Sequence, residues 1–400
     1  MPAFGLLLAA TVTGCSSPAT TSQSSETAGN VLKIGVDLPL SGADASDGIP
    51  ARNGVVLAVE EANRHSLPGG FQFAVADLDD AVQGKHDPAQ GAQNTKTLVA
   101  DDAVLAMIGP FNSNVAQAEI PITNDAGLAQ ISPATTSTTL TKGDAAQRLR
   151  TSHPDVKAFF RVCATDDRQG AADAQAARKI GAKRAFVIDD DETYGKGLAD
   201  VFEQQFVRLG GTVLGHEHLT SGQTDFKALL TKARALSPDV IFFGGTTSTG
   251  GGLVRKQMAD AGMGAVAFLG GDGISDASFL STAGRAADGT YFTVAAPQGD
   301  KPFIDAYQKR FDTSIGAYSA NGYAAALVAI AGIDKAIAAD GGKRPSRADV
   351  LRYITATKNL KTPVGDVGFD SFGDTTDPIL SLFKVSDGKA VFVGLVSAGP

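Results

Sequence analysis

The sequence predicts an α/β protein built as two doubly wound lobes. Three observations predict it. Short, almost continuous apolar runs such as "AVLAMIG" and "DVIFFGG" have the character of strands buried in a mainly parallel sheet. Segments with helical spacing separate these runs, so strand and helix alternate along the chain. The alternation restarts after about Ala164, which gives two successive β/α series.

The elements follow in order. "VLKIGVDLPLSG" begins the folded part near Val31 and reads as a strand that leaves into a Pro/Gly loop. "ARNGVVLAVEEANR" has helical spacing at Val55, Val59 and Ala62, and "FQFAVADL" is the next strand. "DPAQGAQNTKTLVAD" starts a helix with an acid-Pro pair. The buried strand "AVLAMIG" follows, then "SNVAQAEIPITNDAG", a helix interrupted by Pro121, then the strand "LAQISP". "FFRVCATDD" reads as a strand, and the second series opens with "QGAADAQAARKIGA" as a helix. The strands "RAFVIDD", "TVLGHEHL", "DVIFFGG" and "AVAFLGG" then alternate with helices. After "GTYFTVAAP" come helical patterns over Lys301–Phe311 and Ala317–Ala339, and the chain closes in what reads as a β-meander from Val364 to Val393.

Composition excludes several classes. A chain of 400 residues with 43% hydrophobic and 20% charged residues can bury two ordinary cores. A net charge of −8 argues against a nucleic-acid partner, which needs clustered cations. Past the N-terminus no apolar run reaches the ~18–20 residues of a membrane span. Two cysteines make no disulfide framework.

One of the two, Cys15, ends the apolar run Ala3–Thr13, which has the length of a signal-peptide core. Val12-Thr13-Gly14-Cys15 resembles a bacterial lipobox. That implies cleavage of residues 1–14, diacylglycerol on Cys15 and a flexible Ser/Thr-rich tether over 15–30. No Lys or Arg precedes Cys15, so either the start codon lies upstream of Met1, the favoured reading, or the signal is unusual.

Ligands of open α/β sheets sit beyond the carboxyl ends of strands. Three such places carry chemistry. "MIGPFNSNVAQAE" sets a helix N-terminus near Ser113, where free N–H groups and the dipole attract an anion. "ISPATTSTTLTKG" offers the small polar residues Ala134–Thr136 after a strand. "FLGGDGISD" places Asp272 between glycines at a sheet edge, suited to a ligand ammonium group. Together they suit a zwitterion, with Phe111, Tyr194 and Tyr318 as candidate walls for its side chain.

Enzyme signatures fail. "GGTTSTGGG" lacks the Lys-Ser/Thr of a phosphate loop, and "TTSTG" lacks the first Gly of a nucleophile elbow. His216 and His218 share one strand face but lack a nearby third ligand, so they read as exposed strand histidines and no metal is expected. Cys163 reads as a small buried hydrophobe. No cofactor and no catalytic group are expected.

The order and spacing of "IGVDLPLSG", "DLDDAVQGKHDPAQGA", "MIGPFNSN", "ISPATT…LTKG", "FFRVCATDDRQGAADA", "DDDETYGKGLA", "DVIFFGG", "GGDG" and "FDSFGDTTDPILSLFKV" resemble the leucine/isoleucine/valine-binding protein family. These are type I extracytoplasmic receptors of ABC importers. The resemblance implies the type I periplasmic binding protein fold, with Rossmann-like lobes joined by three crossovers near Ala164, Thr293 and Gly368. It puts 31–163 plus 294–367 in lobe 1 and 164–293 plus 368–400 in lobe 2.

For the site, the resemblance implies that Ser113 binds the ligand carboxylate. Thr136 serves both carboxylate and ammonium, the Ala134 carbonyl accepts from the ammonium, and Asp272 pairs with it. Tyr194 closes over the ligand from lobe 2, and Phe111, Thr246 and Tyr318 touch its side chain. The loop "SGADASDG" departs from aliphatic binders, with Asp44 and Asp47 facing either ligand or solvent. Asn112 and Thr246 add polarity, so a larger or more polar side chain than leucine is an open possibility. The partners implied are an amino acid, an ABC permease with its ATPase subunits, and the membrane through the lipid anchor, with the receptor a monomer. The alternatives are an amide, urea or aromatic acid in the same fold, or a sensory module.

Overall fold

The computed structural model describes Met1, residues 30–65 and residues 67–396. Cys15, the signal segment and nearly all of the tether lie outside the described residues.

Two sheets organise the chain. The first has five strands in the order Gln72–Asp79, Val31–Leu38, Val104–Ile108, Ala129–Ser132, Phe159–Arg161. All its neighbours are parallel. Every residue of Val104–Ile108 is buried, as a central strand covered on both faces requires. We call the body around this sheet the first lobe. The second sheet has seven strands in the order Lys389–Val396, Leu380–Ser386, Tyr291–Val294, Ala267–Gly270, Val240–Gly244, Arg184–Asp189, Thr212–His218. It is parallel except for the last two strands of the chain, a hairpin that pairs antiparallel with Tyr291–Val294.

The chain passes between the lobes three times, and the crossing segments lie side by side. The Ala164 N–H donates to the Ala295 carbonyl at 3.0 Å. The Ser381 hydroxyl donates to the Ala296 carbonyl at 2.8 Å. Helix Ser319–Ala339 returns to the first lobe and packs on helix Ala45–Ala62. Among the described residues it alone is long and apolar enough to cross a membrane. Its buried Ala320, Ala324, Ala325 and Val328 belong to the core.

Several sequence expectations need correction. Pro121 sits inside a continuous helix, Ser113–Ala126, and does not interrupt it. "SGADASDG" is only partly a loop, because helix Ala45–Ala62 begins within it and carries Asp47 in its first turn and Pro50 after it. The strand in "FFRVCATDD" stops at Arg161, and Cys163 lies beyond it, buried, with its thiol pushed up by burial. Helix Arg347–Thr355 is an element the sequence reading left out. The C-terminal stretch is no single meander. Gly365–Val367 pairs with Leu360–Thr362 in a small separate sheet, and only the 380–396 hairpin joins the large one.

The first lobe buries an acid cluster at the end of strand Val31–Leu38. Asp37 accepts from Asn94 Nδ2 at 2.7 Å, and Glu119 accepts from Gln130 Nε2 at 2.6 Å. Burial pushes the Asp37 carboxyl up to about 6, and moves Asp80 and Glu119 in the same direction.

Candidate functional site

Three strand ends of the two lobes converge on one enclosed place. In the first lobe, strand Val104–Ile108 leads to Asn112, whose extended backbone caps helix Ser113–Ala126 without a side-chain capping bond. The Asn112 Oδ1 is buried with no partner. The Ser113 hydroxyl accepts from the Ser137 N–H at 3.2 Å and keeps its own proton free to donate. Ser132 ties the neighbouring loop in place. Its hydroxyl donates to the Pro110 carbonyl at 2.7 Å and accepts from the Thr135 N–H at 2.9 Å. The fully buried Arg161 guanidinium holds the carbonyls of Thr135 and Ser137 at 3.0 and 2.8 Å and pairs with Asp374 at 2.7 Å. Ala134 and Thr136 therefore sit on a rigid turn.

In the second lobe, strand Ala267–Gly270 delivers Asp272. Its Oδ1 accepts from Gln169 Nε2 at 2.6 Å and from the Tyr194 hydroxyl at 3.1 Å. The same Tyr194 oxygen accepts from the Gly273 N–H at 3.1 Å. The glycines on either side of Asp272 are needed for this approach. A Cβ on Gly271 would lie 2.6 Å from the Tyr194 hydroxyl, and one on Gly273 2.3 Å from the Gly245 carbonyl. Burial raises the Asp272 carboxyl, against the hydrogen bonds from Gln169 and Tyr194.

Asp166 was not anticipated. It opens helix Asp166–Lys179, is 2% exposed, and has no partner at either carboxylate oxygen. Burial pushes it well above the usual carboxylate range, and the neighbouring Thr136 hydroxyl offsets only part of that. The Thr136 hydroxyl and the Tyr318 hydroxyl are buried without partners as well. Tyr318 stands edge-on to Phe111, ring centroids 5.3 Å apart. Its phenol is pushed up by burial and by the charge of Asp272. In sequence, Asp166 reads only as an acid complementing a helix N-terminus, which hides its position beside Thr136 and Asp272.

The structure thus brings Ser113, Ala134 and Thr136 together on one side and Tyr194 and Asp272 on the other, with Phe111 and Tyr318 between loops. Each of these residues is at most 9% exposed. Thr246 belongs to an adjoining turn, where its hydroxyl lies 3.0 Å from that of Ser248. The next residue, Thr247, donates its N–H to the Gly273 carbonyl at 2.8 Å.

Of the two acids that sequence left open, Asp44 is buried and bound to His86. Asp47 is half-buried and lines a cavity of about 470 Å³ with Asp276, Ser275 and Phe292. Burial, then the charges of Asp276, Asp44 and Asp272, push the Asp47 carboxyl well up.

Contacts across the cleft hold the lobes together. His86 Nδ1 lies 2.8 Å from Asp44 of its own lobe, and Nε2 lies 2.9 Å from Glu192 of the other. Asn114 donates to the same Glu192 at 3.0 Å, and Thr193 donates to Gln117 at 2.9 Å. On the opposite flank Ser46 reaches Asp276 at 3.1 Å. Burial opposes a charge on His86, but its two carboxylates outweigh that and raise it to about 10. His216 and His218 need a correction too. They do have a third group beside them, because both rings contact the buried Asp189 of the neighbouring strand.

Comparison with known proteins agrees with this architecture. The profile of the Periplasmic binding protein family matches residues 31–389. The chain is 32% identical over 364 residues to Leu/Ile/Val-binding protein homolog 3 of Brucella melitensis, covering 90% of this chain and 93% of that one. It is 32% identical over 365 residues to Leu/Ile/Val-binding protein BraC3 of Rhizobium johnstonii, with the same two coverages. Among solved structures, the branched-chain amino acid transporter substrate binding protein LivJ of Streptococcus pneumoniae, in complex with isoleucine, superposes with a TM-score of 0.78. It is 26% identical, and the match covers 92% of this chain and 99% of that one. With two α/β lobes, three crossings and a matching profile over nearly the whole described chain, this protein belongs to the periplasmic binding protein family.

Proposed function

We propose that the chain is an extracytoplasmic, lipid-anchored receptor of an ABC importer that binds an amino acid, branched-chain or related, between its lobes. One observation carries the reading. The buried hydroxyls of Thr136 and Tyr318 and both carboxylate oxygens of Asp166 lack partners beside Asp272. Buried polar groups are normally satisfied, so such a group of orphans marks where a ligand supplies the missing bonds. An ammonium group suits them, because two carboxyls, a hydroxyl and the Ala134 carbonyl all accept. The ligand carboxylate takes the helix N-terminus and the Ser113 hydroxyl. Phe111, Asn112, Tyr194, Thr246, Tyr318 and Asp47 surround the side chain.

The relatives named for leucine, isoleucine and valine binding support this class. No step of covalent chemistry is involved. Contacts made only in the closed form shift the population toward it, and the closed receptor then docks on a permease driven by separate ATPase subunits. Cys15 and the 15–30 tether keep it near that permease. The lobe boundaries proposed are 31–163 with 294–367, and 164–293 with 368–400.

The test is calorimetry of the twenty amino acids, small amides and aromatic acids against the purified chain. Micromolar binding corresponds to about −8 kcal/mol. Saturable binding of one amino acid group is expected. Binding confined to compounds without an ammonium group would overturn the roles of Asp272 and Asp166.

A further inference from the structure

A second cluster lies away from the cleft core, at the edge of the seven-stranded sheet. We infer that Asp189, His216 and His218 form a binding site for a divalent transition-metal ion of the zinc type. The strand geometry builds it. His216 and His218 are two apart on the edge strand Thr212–His218, so their rings leave the same face. Asp189 ends the adjacent parallel strand in register with His218. His216 Nε2 lies 2.6 Å from Asp189 Oδ2, and His218 Nδ1 lies 2.8 Å from Oδ1. All three ligand atoms fall within 4.8 Å of one another. Zinc bonds of about 2.0–2.2 Å fit between them once each contact opens by under about 1 Å.

The surroundings match what such a site needs. His216 holds its other nitrogen, Nδ1, 2.8 Å from Glu203 on helix Thr193–Arg208. A carboxylate on the far nitrogen fixes the tautomer that leaves Nε2 as a ligand. The Asp191 N–H holds Asp189 Oδ1 at 2.8 Å, which orients the carboxylate. Asp189 is fully buried and His218 half-exposed, so the set runs from the interior to a water-accessible edge. His218 lines an open cavity of about 750 Å³, which gives an ion its route in and leaves a fourth position for water. Two imidazoles and one carboxylate, with no thiolate, suit zinc and its first-row neighbours and do not suit calcium or magnesium, which take oxygen ligands.

The test is titration of the full chain, prepared without a histidine tag and stripped with chelator, with Zn²⁺ alone. One equivalent is expected to bind, and Co²⁺ in its place is expected to give the visible absorption of a four-coordinate centre. His218→Gln, at a half-exposed position that the fold tolerates, and His216→Ala should each weaken Zn²⁺ binding at least 100-fold. Glu203→Gln touches no ion and should weaken it about 10- to 100-fold. Absence of saturable binding, or stoichiometric binding unchanged in His218→Gln, overturns the site. Neither result bears on amino-acid binding, so the two readings fail separately.

Discussion

Asp272 and Asp166 are both buried, and the charge of Asp272 adds to the cost of ionising Asp166. Burial raises both. An arriving ammonium group reverses that, because the ion pair favours the charged forms. Ligand binding near neutral pH should therefore release protons, which calorimetry in buffers of different ionisation enthalpy measures directly. Binding with no net proton release would mean that the acids are already ionised. Asp272→Asn should lower affinity at least 100-fold, since it leaves a buried ammonium with one charged partner fewer. Gly271→Ala should weaken binding too, because its Cβ pushes Tyr194 from Asp272. Sequence made Asp272 legible through its flanking glycines at a strand end. Asp166 was hidden because an acid in a first helical turn has an ordinary structural reason to be there, and only tertiary packing sets it beside Thr136.

At the scale of elements, most strands and helices of both series were readable, because apolar runs alternate with helical spacing and many end in Gly or Pro. Packing overrode local signals elsewhere. Pro121 is accommodated within helix Ser113–Ala126, and the final segments divide between two sheets because Gly365–Val367 finds a local partner in Leu360–Thr362. The third ligand beside His216 and His218 was invisible for a related reason. Asp189 is adjacent through sheet register and not through sequence.

Strand Val31–Leu38 carries a consequence for stability. Asp37 is raised from 3.8 to about 6 by burial, so the folded chain holds a proton there that the unfolded chain has lost. Its contribution is favourable at acid pH and falls as pH rises from about 4 to about 6, by at most about 3 kcal/mol. Urea denaturation at pH 4 and pH 7 should show this loss, and Asp37→Asn should flatten it. An unchanged slope in the variant would assign the effect to Asp80 or Glu119.

For the molecule as a whole, the cleft contacts decide how firmly the lobes close. His86 binds Glu192 across the cleft and is raised from 6.5 to about 10. A raised histidine contributes fully below its ordinary value and loses that contribution as pH rises through its folded value. Closure should thus be firmest below about pH 6.5 and weaken progressively as pH rises from there toward about 10. His86→Gln should open the ligand-free molecule, seen as a larger radius of gyration in small-angle scattering, and lower affinity about tenfold. An unchanged radius would assign closure to the contacts of Ser46 and Asn114 instead.

The burial of nearly the whole proposed site has a kinetic meaning. With every site residue except the half-buried Asp47 no more than 9% exposed, a ligand there enters and leaves while the lobes are apart. Release then becomes a clock for the hinge. Ligands of different chemistry that seat equally well should leave at one shared rate, the rate at which the protein opens, and a permease that prises the lobes apart would set the pace of delivery whatever the strength of the bonds inside.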